Sequence, residues 1–502
     1  MRAMPIFSNL FGARLYSTKS RTYSDAIDAL NSLQTNFATL ELLRKSQKKS
    51  RTLAIPEMIE WTRRAGYKPS DLNKLNIIHV TGTKGKGSTC AFTYSILSQY
   101  VPSTFSKIGL YTSPHLKTVR ERISINGKPL PEELFTQYFF EVWDRLENSS
   151  SDENEYNAMG PGMKPVYFRF LTLLSFHVFM SENVDTAIYE VGIGGEYDST
   201  NIIEKPTAVG ISSIGIDHTK ILGTTLQDIA WNKGGIMKNG AKAFSVQQPQ
   251  EAWAALQGRA DEKKVELTEV PVHPVVEQTT LGIDADYQQI NASLATALAQ
   301  EHLTVLGHPP VPACTSTELT PEFVVGIETA FWPGRCQKII DATKTEGEKL
   351  EWLLDGAHTD ESVTVATMWF GKKARKEAYK ILVFNQQTRD ATSLVGKLHS
   401  ILGTEVSFDE VIFCSNITWS SAGYQSELTS MNTSEQEVRD LVVQKQLAEH
   451  WQKLDPHSKP TVLPTIEEAV EYVRGLDHED VQVLVTGSLH LVGGLLVVLD
   501  GR

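Results

Sequence analysis

The residues best suited to chemistry lie in a short segment rich in glycine and lysine, GTKGKGST at positions 82–89. This segment follows a β-rich run at 77–80 and precedes an apolar helical pattern at 90–97. Successive backbone N–H groups in such a loop, with the positive end of the following helix, form a cradle for phosphate oxygens, and a lysine there can reach the β and γ phosphates. The candidate phosphate-binding residues are Gly82, Thr83, Gly85, Lys86, Gly87 and Ser88.

The spacing within this loop departs from the standard G-x-x-x-x-G-K-[ST] pattern, because Gly87 stands between Lys86 and Ser88. That departure narrows the class of nucleotide-binding proteins to which the chain could belong. The alternative is a glycine turn that its two lysines merely keep soluble. The position between a strand and a helix favours a nucleotide triphosphate site.

The elements that must position this loop alternate between strand and helix. After the first strand, short strands are predicted at 107–111, 186–191, 208–214 and 242–246. A second series has strands at 350–354, 380–384, 410–414 and 481–485, with helices at 363–370, 391–402 and 466–474. Such alternation predicts largely parallel sheets covered by helices.

The predicted fold class is therefore α/β, with two domains. An N-terminal P-loop-type domain with a mostly parallel sheet spans 25–320, and a smaller Rossmann-like α/β domain spans 321–502. Four prolines at 307–321 mark the linker between them. A helix capped by Ser24 and Asp25 is predicted at 24–43, a surface insertion at 148–165 and a polar loop at 420–437.

Composition and charge exclude several classes of protein. The chain has 502 residues, of which 41% are hydrophobic and 22% charged, as expected for two or three folded domains. Its net charge of −12 argues against nucleic acid as a partner. The four cysteines are widely spaced, which argues against a structural zinc site or a disulfide framework. The longest apolar stretches, at 171–180 and 489–499, are shorter than the roughly 20 residues of a membrane-spanning helix, so no transmembrane segment is expected.

The first 24 residues have a composition of their own. They carry four basic residues, several serines and interleaved apolar residues, and no acidic residue precedes Asp25. This pattern predicts a mitochondrial transit segment at 1–24 and a mitochondrial location, in the matrix or at the inner membrane, with a cytoplasmic form as well. A disordered basic tail is the alternative. A secretory signal is disfavoured, because the segment lacks an apolar core of about 7 to 15 residues.

Several ordered motifs together carry a resemblance to a known family. They are YTSPHL at 111–116, RERI at 120–123, EVGIGG at 190–195, YDSTN at 197–201, DH at 217–218, NKGGI at 232–236, WPGR at 332–335 and LDGAH at 354–358. With the glycine loop, they resemble folylpolyglutamate synthases from about residue 25 to the C-terminus. The broader group is the ADP-forming amide ligases, which include the Mur ligases.

The resemblance implies an ATP-dependent ligase that adds L-glutamate to the γ-carboxylate of a reduced folate or its polyglutamates. In such ligases the γ-phosphate of ATP passes to the acceptor carboxylate, and the amine then attacks the acyl phosphate. Mg²⁺ suits this chemistry because it takes oxygen ligands alongside substrate phosphates. The implied cofactors are ATP and Mg²⁺, with a monovalent cation as a further candidate.

The resemblance also assigns metal ligands. Ser113 and Glu190 match ligands of a Mg²⁺ that bridges the β and γ phosphates, and His218 matches a ligand of a second Mg²⁺ near the acceptor carboxylate. Taken without the resemblance, Asp217 and His218 would be interpreted as a structural pair. Glu190 would be interpreted as a helix-capping or salt-bridged carboxylate.

Further residues match family positions with catalytic or nucleotide-binding roles. Lys233 matches a lysine that is carbamylated, while Arg335 and Asp355 match contacts to the phosphate and the ribose of ATP. Lys86, Lys233 and His358 are the candidate catalytic residues, and His358 is expected to face the same cleft as Asp355. The alternatives are a helix-surface role for Lys233 and a surface arginine at a domain boundary for Arg335.

Two arginines are candidates for the acceptor site. Arg120 and Arg122 follow the second predicted strand, where parallel sheets bind ligands beyond the carboxyl ends of their strands. A guanidinium binds a carboxylate in a bidentate geometry, so both residues could pair with the glutamyl chain. A salt bridge within the loop is an equally weighted alternative.

The function predicted from these residues is folylpolyglutamate synthesis, with reduced folates and L-glutamate as the expected partners and a monomer as the expected assembly. Dihydrofolate synthase, which joins glutamate to dihydropteroate, is the nearest alternative because its phosphate chemistry is alike. A nucleotide-dependent switch without ligation is a more distant one. It would leave Glu190, His218 and Lys233 without a role.

Overall fold

The computed structural model describes residues 21–34, 53–152, 154–156, 159–308, 318–344, 347–387, 390–403, 405–421 and 439–501. These residues form two α/β domains, each built on one sheet, in agreement with the predicted fold class. The predicted transit segment lies outside the described residues up to position 20. Most of the polar loop at 420–437 and most of the predicted linker at 307–321 also lie outside the described residues.

The larger sheet contains the glycine loop. Its strands are β1 (Ile77–Thr81), β2 (Ile108–Tyr111), β3 (Ile123–Ile125), β4 (Lys128–Pro129), β5 (Thr186–Glu190), β6 (Ala208–Ile211), β7 (Lys242–Val246) and β8 (Leu267–Val270). They lie in the order β4-β3-β2-β5-β1-β6-β7-β8. β3 runs antiparallel to its two neighbours, and the strands from β2 to β8 in that order are parallel.

Helices cover both faces of this sheet. They are α1 (Tyr23–Ser32), α2 (Ala54–Arg64), α3 (Lys86–Ser98), α4 (Glu132–Glu147), α5 (Tyr167–Ser181), α6 (Thr219–Leu222), α7 (Leu226–Gly234), α8 (Gln250–Lys263), α9 (Pro274–Gln278), α10 (Gln288–Val305) and α11 (Pro321–Glu328). Short 3₁₀ turns occur at Pro69–Leu75, Val119–Arg122 and Ser199–Ile202.

The second domain repeats the arrangement on a smaller scale. Its strands are β9 (Gln337–Ile340), β10 (Lys349–Leu354), β11 (Tyr379–Phe384), β12 (Glu410–Cys414), β13 (Lys459–Leu463) and β14 (Asp480–Thr486). Their order is β13-β12-β11-β14-β10-β9, and only β9 is antiparallel within this sheet. The helices are α12 (Asp360–Lys373), α13 (Ala391–Leu402), α14 (Val442–Leu454), α15 (Ile466–Arg474) and α16 (Leu489–Asp500).

Each of the nine strands predicted from the sequence is present within three residues of its expected ends. The strands that the patterns did not predict are β3, β4, β8, β9 and β13, which lie at or next to the sheet edges. Both residues of β4 are exposed, and in β9 exposed and half-buried residues alternate. A buried parallel strand needs a continuous apolar run, whereas an edge strand does not, so the edges leave a weak signal in sequence.

The structure corrects the predicted cap of the first helix and adds contacts for the predicted surface insertion. α1 is capped by Thr22 rather than by Ser24, because the Thr22 hydroxyl accepts the Asp25 N–H while the Asp25 carboxylate accepts the Thr22 N–H. The segment at 148–165 is fastened to the first domain. The buried Arg64 guanidinium donates to the carbonyls of Ser149 and Met159 at 2.7 and 2.8 Å.

Packing places the end of the first domain beyond residue 320. Phe323 and Ile327 of α11 are fully buried in the core that also contains Ile96 of α3. Gly326 lies so close to α3 that an added Cβ would stand 2.5 Å from the Ile96 Cα. α11 therefore belongs to the first domain, although the sequence pattern placed the boundary before it, and the linker to the second domain is the segment 329–336 between α11 and β9.

A loop of the first domain is inserted into the second. Leu116, which follows β2, belongs to the core formed by Val492 and Leu495 of α16. Lys117 forms an ion pair with Asp500 at the end of the same helix. The two domains are thus joined through this contact as well as through the linker. In the described part of the chain, no helix has both the length and the apolar character required to cross a membrane.

Candidate active site

A cavity of about 1280 Å³ lies between the two domains. The loops after β1, β2, β5 and β6 line one side, and the linker and the loop after β10 line the other. Because these strands end at one edge of each sheet, their loops converge on this space. The predicted site residues in its lining are Thr83, Gly85, Lys86, Gly87, Ser88, Ser113, Arg122, Glu190, His218, Arg335, Asp355 and His358.

The glycine loop is held from both sides. The backbone N–H groups of Thr83 and Lys84 donate to the Ser213 carbonyl at 2.8 and 3.1 Å, and the Ser212 hydroxyl donates to the Lys84 carbonyl at 2.7 Å. Gly85, with φ at 87°, adopts the left-handed conformation just before α3 begins. These contacts fix the loop before any ligand binds, which favours phosphate binding.

Two amide side chains of α10 support the loop, and the sequence analysis missed them. The Gln288 amide donates to the Ser88 hydroxyl at 3.1 Å, and the Asn291 amide donates to the Gln288 carbonyl oxygen at 2.8 Å. Both side chains are buried and line the cavity. The available signal was the presence of three amides, Gln288, Gln289 and Asn291, at the start of the otherwise alanine-rich pattern of residues 288–299.

Glu190 provides a buried carboxylate beside the loop. It lies at the end of β5, is 4% exposed, and accepts the backbone N–H of Ser113 at 3.0 Å. Burial raises the pKa of this carboxyl, and the nearby positive charge of Lys86 partly offsets the effect. The structure thus brings Lys86, Ser113 and Glu190 to one wall of the cavity, as the sequence predicted they would lie.

Lys233 lies beneath the glycine loop rather than on a helix surface. Its side chain is buried, and its Nζ donates to the Gly82 carbonyl at 2.6 Å. Burial, followed by the positive charge of Lys86, holds the pKa of Lys233 well below its ordinary value. Neither Lys233 nor Gly82 is in the cavity lining, so this pair forms a layer behind the loop.

Asp217 and His218 lie on the loop after β6. The His218 backbone adopts the left-handed conformation, with φ at 50°, and its N–H donates to the Asp217 carboxylate at 2.8 Å. The same carboxylate pairs with Lys84 at 3.4 Å. His218 is exposed at the cavity. Because β1 lies between β5 and β6 in the sheet, His218 and Glu190 lie on opposite sides of the glycine loop.

The linker and the second domain provide the facing wall. Arg335 and Asp355 both line the cavity, and the Asp355 carboxylate accepts the backbone N–H of Cys336 at 3.0 Å. Burial raises the pKa of Asp355, and the Arg335 charge opposes this rise. His358 faces the same space, with its Nδ1 3.1 Å from the Gly356 carbonyl oxygen.

The two arginines of the RERI motif are separated by the structure. Arg122 is buried in the cavity wall, where its Nε donates to His115 Nδ1 at 2.9 Å. Arg120 is absent from the cavity lining and instead donates to the Leu130 carbonyl at 2.8 Å and pairs with Glu132 at 3.4 Å. The alternative of a local salt bridge therefore describes Arg120, and the acceptor-site hypothesis is kept for Arg122 alone.

Comparison with known proteins now bears on this site. The chain is 50% identical over 485 residues to the folylpolyglutamate synthase of Saccharomyces cerevisiae strain YJM789, a match that covers 96% of this chain and 87% of the relative. The chain belongs to the folylpolyglutamate synthase family. The resemblance inferred from the motifs is confirmed.

Other comparisons agree with the fold of this folylpolyglutamate synthase family member. The apo form of L. casei FPGS has a TM-score of 0.67 at 20% identity, with 96% of this chain and 100% of that chain covered. E. coli FolC in complex with DHPP and ADP has a TM-score of 0.65 at 22% identity, with 96% and 99% covered. A family described as "Dihydrofolate synthetase, C-terminal domain" matches residues 338–498.

The described residues of this folylpolyglutamate synthase family member contain no dedicated metal-binding cluster. Among the described residues, no group of three or more His, Cys, Asp or Glu side chains could together hold a metal ion. Mg²⁺ is commonly bound by one or two carboxylates together with substrate phosphates and water, so a dedicated cluster is not required. The buried carboxylate of Glu190 beside the phosphate loop fits that mode.

Proposed function

We propose that this chain is an ATP-dependent ligase that joins L-glutamate to the γ-carboxylate of tetrahydrofolate and its polyglutamates, with release of ADP and phosphate. The observation that carries the proposal is one cavity in which the glycine loop, Glu190 and Arg335 face one another. The family relationship supports it, since the yeast relative is a folylpolyglutamate synthase. A complex described as FPGS-AMPPCP-folate shows that a protein of this fold binds both an ATP analogue and folate.

The arrangement supports phosphoryl transfer as the first step. Backbone N–H groups of residues 85–88, at the start of α3, hold the phosphates, while Lys86 and Arg335 balance the charge that moves with the γ-phosphoryl group. An acceptor carboxylate oxygen forms a bond to the γ-phosphorus as the bond to the ADP oxygen breaks. Closure of both domains around this cavity excludes water, which would otherwise hydrolyse the acyl phosphate.

The second step joins the amine to the acyl carbon. The glutamate nitrogen attacks that carbon, phosphate leaves with the electron pair of the C–O bond, and the amine loses a proton. The Gly356 carbonyl can only accept a hydrogen bond, so Nδ1 of a neutral His358 carries the proton in this contact. We propose that the His358 ring takes this proton from the amine.

We propose Glu190 and Ser113 as the residues that hold Mg²⁺ beside the triphosphate, and His218 as a residue at a second metal position. When bound, Mg²⁺ would neutralise phosphate charge. Glu190→Gln removes the carboxylate charge at constant shape, so acyl phosphate formation should fall by at least ~100-fold. Isothermal titration of the ATP analogue with and without Mg²⁺ should show that the variant has lost the Mg²⁺-dependent part of binding. Full activity of this variant would contradict the assignment.

The identity of the molecule that accepts glutamate is the most specific part of the proposal. The family matched at 338–498 is described as a dihydrofolate synthetase, which favours dihydropteroate as the second candidate acceptor. ADP release should be measured with glutamate plus tetrahydrofolate and, separately, with glutamate plus dihydropteroate. We expect release with tetrahydrofolate, and none from a folded Lys86→Ala variant. Release with dihydropteroate alone would replace the proposal by the second candidate.

We propose that Arg122 binds a carboxylate of the glutamyl chain. Arg122 lines the cavity, and its backbone carbonyl accepts the N–H of Thr112, which directly follows β2, at 3.1 Å. Arg122→Ala should raise the KM for folate by about tenfold, while the KM for ATP changes little. Arg120→Ala is the matched control, because that residue lies outside the cavity and should leave both values unchanged.

We also propose that residues 1–24 direct the chain to mitochondria. The support is the basic, acid-free composition, which precedes the first site residue by many positions. Fusions of a fluorescent protein to the full chain and to a chain starting at residue 21, which lacks most of this segment but keeps the Thr22 cap of α1, should differ in location, the first being mitochondrial. Equal activity of the two purified chains is expected. A mitochondrial location of the shortened fusion would refute the proposal.

A further inference from the structure

Three side chains form a hydrogen-bonded chain at the junction of the linker and both domains. Tyr287 stands at the start of α10 in the first domain, Cys336 is in the linker just before β9, and Asp355 ends β10 in the second domain. The Tyr287 hydroxyl lies 3.2 Å from the Cys336 sulfur, and that sulfur lies 3.5 Å from the Asp355 carboxylate. The Cys336 backbone N–H donates to the same carboxylate oxygen at 3.0 Å.

The direction of this chain follows from its last member. An ionised carboxylate only accepts hydrogen bonds, so the Cys336 thiol donates to Asp355. The sulfur has then used its proton and accepts the hydrogen bond of the Tyr287 hydroxyl. A residue of the first domain thus orients a thiol of the linker, and the thiol orients a carboxylate of the second domain.

Burial and an unusual backbone conformation hold Cys336 in a fixed position. The residue is 6% exposed, and its backbone has φ at 45°, a left-handed conformation that a residue with a Cβ rarely adopts. Asp355 is 5% exposed and Tyr287 is half-buried, so water has little access to the bonds between them. Tyr287 and Asp355 both line the cavity, and Cys336 stands directly after Arg335.

We propose that Cys336 and Tyr287 are positioning residues for the nucleotide, acting by holding the Asp355 carboxylate at the angle at which it accepts a ribose hydroxyl. This inference rests on the proposed function and on the match of Asp355 to a family position that contacts the ribose of ATP. The Cys336 N–H fixes one carboxylate oxygen from the backbone, and the thiol fixes the same oxygen from the side chain. The backbone N–H of Ala357 also donates to this carboxylate, so the peptide chain and the thiol hold it together at the cavity wall.

The expected effect is specific for ATP. Burial already raises the pKa of Asp355, so each donor to its charged form helps to keep the carboxylate ionised. Loss of the thiol donor should loosen the carboxylate without touching the acceptor side of the cavity. The KM for ATP should therefore rise, while the KM for folate and the kcat stay within a factor of about two.

The experiment compares Cys336→Ala with Cys336→Ser and Cys414→Ala in the full chain. Cys336→Ala should raise the KM for ATP by about fivefold, and Cys336→Ser, which keeps a donor, should restore it to within about twofold of the wild type. Cys414 is a fully buried thiol in β12, so Cys414→Ala controls for the loss of buried sulfur. Tyr287→Phe, which removes the first donor of the chain, should raise the KM for ATP in the same direction.

The outcomes separate this inference from the function on which it rests. If Asp355→Ala raises the KM for ATP but Cys336→Ala leaves it unchanged, the positioning role is refuted and the nucleotide site stands. If Cys336→Ser behaves like Cys336→Ala, or Cys414→Ala raises the KM as much, the effect is one of packing and the inference is refuted. If Asp355→Ala leaves ATP binding unchanged in a calorimetric titration, the proposed nucleotide contact itself fails.

Discussion

The two lysines near the glycine loop differ in what their surroundings do to them. Both amines donate to the Gly82 carbonyl, but Lys86 lines the cavity, whereas Lys233 is buried behind the loop. Burial disfavours the charged form of an amine, and the charge of Lys86 disfavours it further. One lysine is thus suited to binding an anion and the other to reacting as a neutral amine.

Lys233 gives a prediction at the scale of one residue. Its lowered pKa means that it becomes neutral at a lower pH than a surface lysine, and only a neutral amine adds to CO₂ to form a carbamate. Purified protein in ¹³C-labelled bicarbonate should show a carbamate resonance that weakens as the pH falls through this pKa. Lys233→Arg should abolish the resonance and lower activity by at least ~100-fold.

Lys238 supplies the control for that experiment. It is also largely buried, with its pKa lowered by burial to about 8, and its Nζ donates to the Asn201 carbonyl at 3.1 Å. Lys238 does not line the cavity, so Lys238→Arg should keep both the resonance and the activity. A resonance that disappears with Lys238→Arg and persists with Lys233→Arg would contradict the assignment.

The sequence revealed some site residues and not others for a physical reason. Lys86, Ser113 and Glu190 were predictable because each lies at or within a few residues of the carboxyl end of a strand, and a parallel sheet gathers such positions at one edge. Gln288 and Cys336 were not, because α10 and the linker reach the site only through packing between distant segments. For the same reason the sequence could not decide between the two roles that were left open for Arg120. The spacing of residues along a loop does not show which of their side chains face the cavity.

At the scale of elements, the site depends on the turn that joins β1 to α3. All five residues of β1 are buried, which fixes where the strand ends, and α3 begins at Lys86. The backbone adopts the left-handed conformation at Gly85, just before α3 begins, and the side chain of Asn291 lies against this glycine. The continuous apolar runs made β1 and its parallel neighbours predictable, whereas the half-exposed edge strands β8 and β9 lacked that signal.

Gly85→Ala tests this element. The native φ of 87° is strained for alanine, and the new Cβ would stand 2.2 Å from the Asn291 side-chain oxygen. The affinity for an ATP analogue in calorimetry should fall by ~10-fold or more. Gly258→Ala is the matched control in α8, where an added Cβ meets no atom within 4 Å, and it should bind normally. Unchanged affinity of Gly85→Ala would show that the loop does not hold the nucleotide in this conformation.

At the scale of the whole molecule, the cavity exists only while the two domains keep their relative position. The loop after β2 carries Ser113 toward Glu190 at its start and Leu116 into the second domain three residues later. The Glu121 carboxylate stiffens this loop by accepting the N–H groups of Leu116 and Lys117 at 2.7 and 3.1 Å. The position of α16 is therefore linked to the wall that holds Glu190.

Gly493→Ala tests that link at a point where the two domains are in close contact. An added Cβ on Gly493 of α16 would stand 2.1 Å from the Leu116 carbonyl oxygen, so the loop must shift or the domains must separate. Because catalysis is sensitive to displacements of about 1 Å, kcat should fall by at least ~10-fold. Gly396→Ala, in α13 of the same domain, meets its nearest atom at 3.7 Å and should keep full activity. Thermal unfolding of both variants should be compared, because wild-type kcat in a folded Gly493→Ala protein would show that the contact does not position the site.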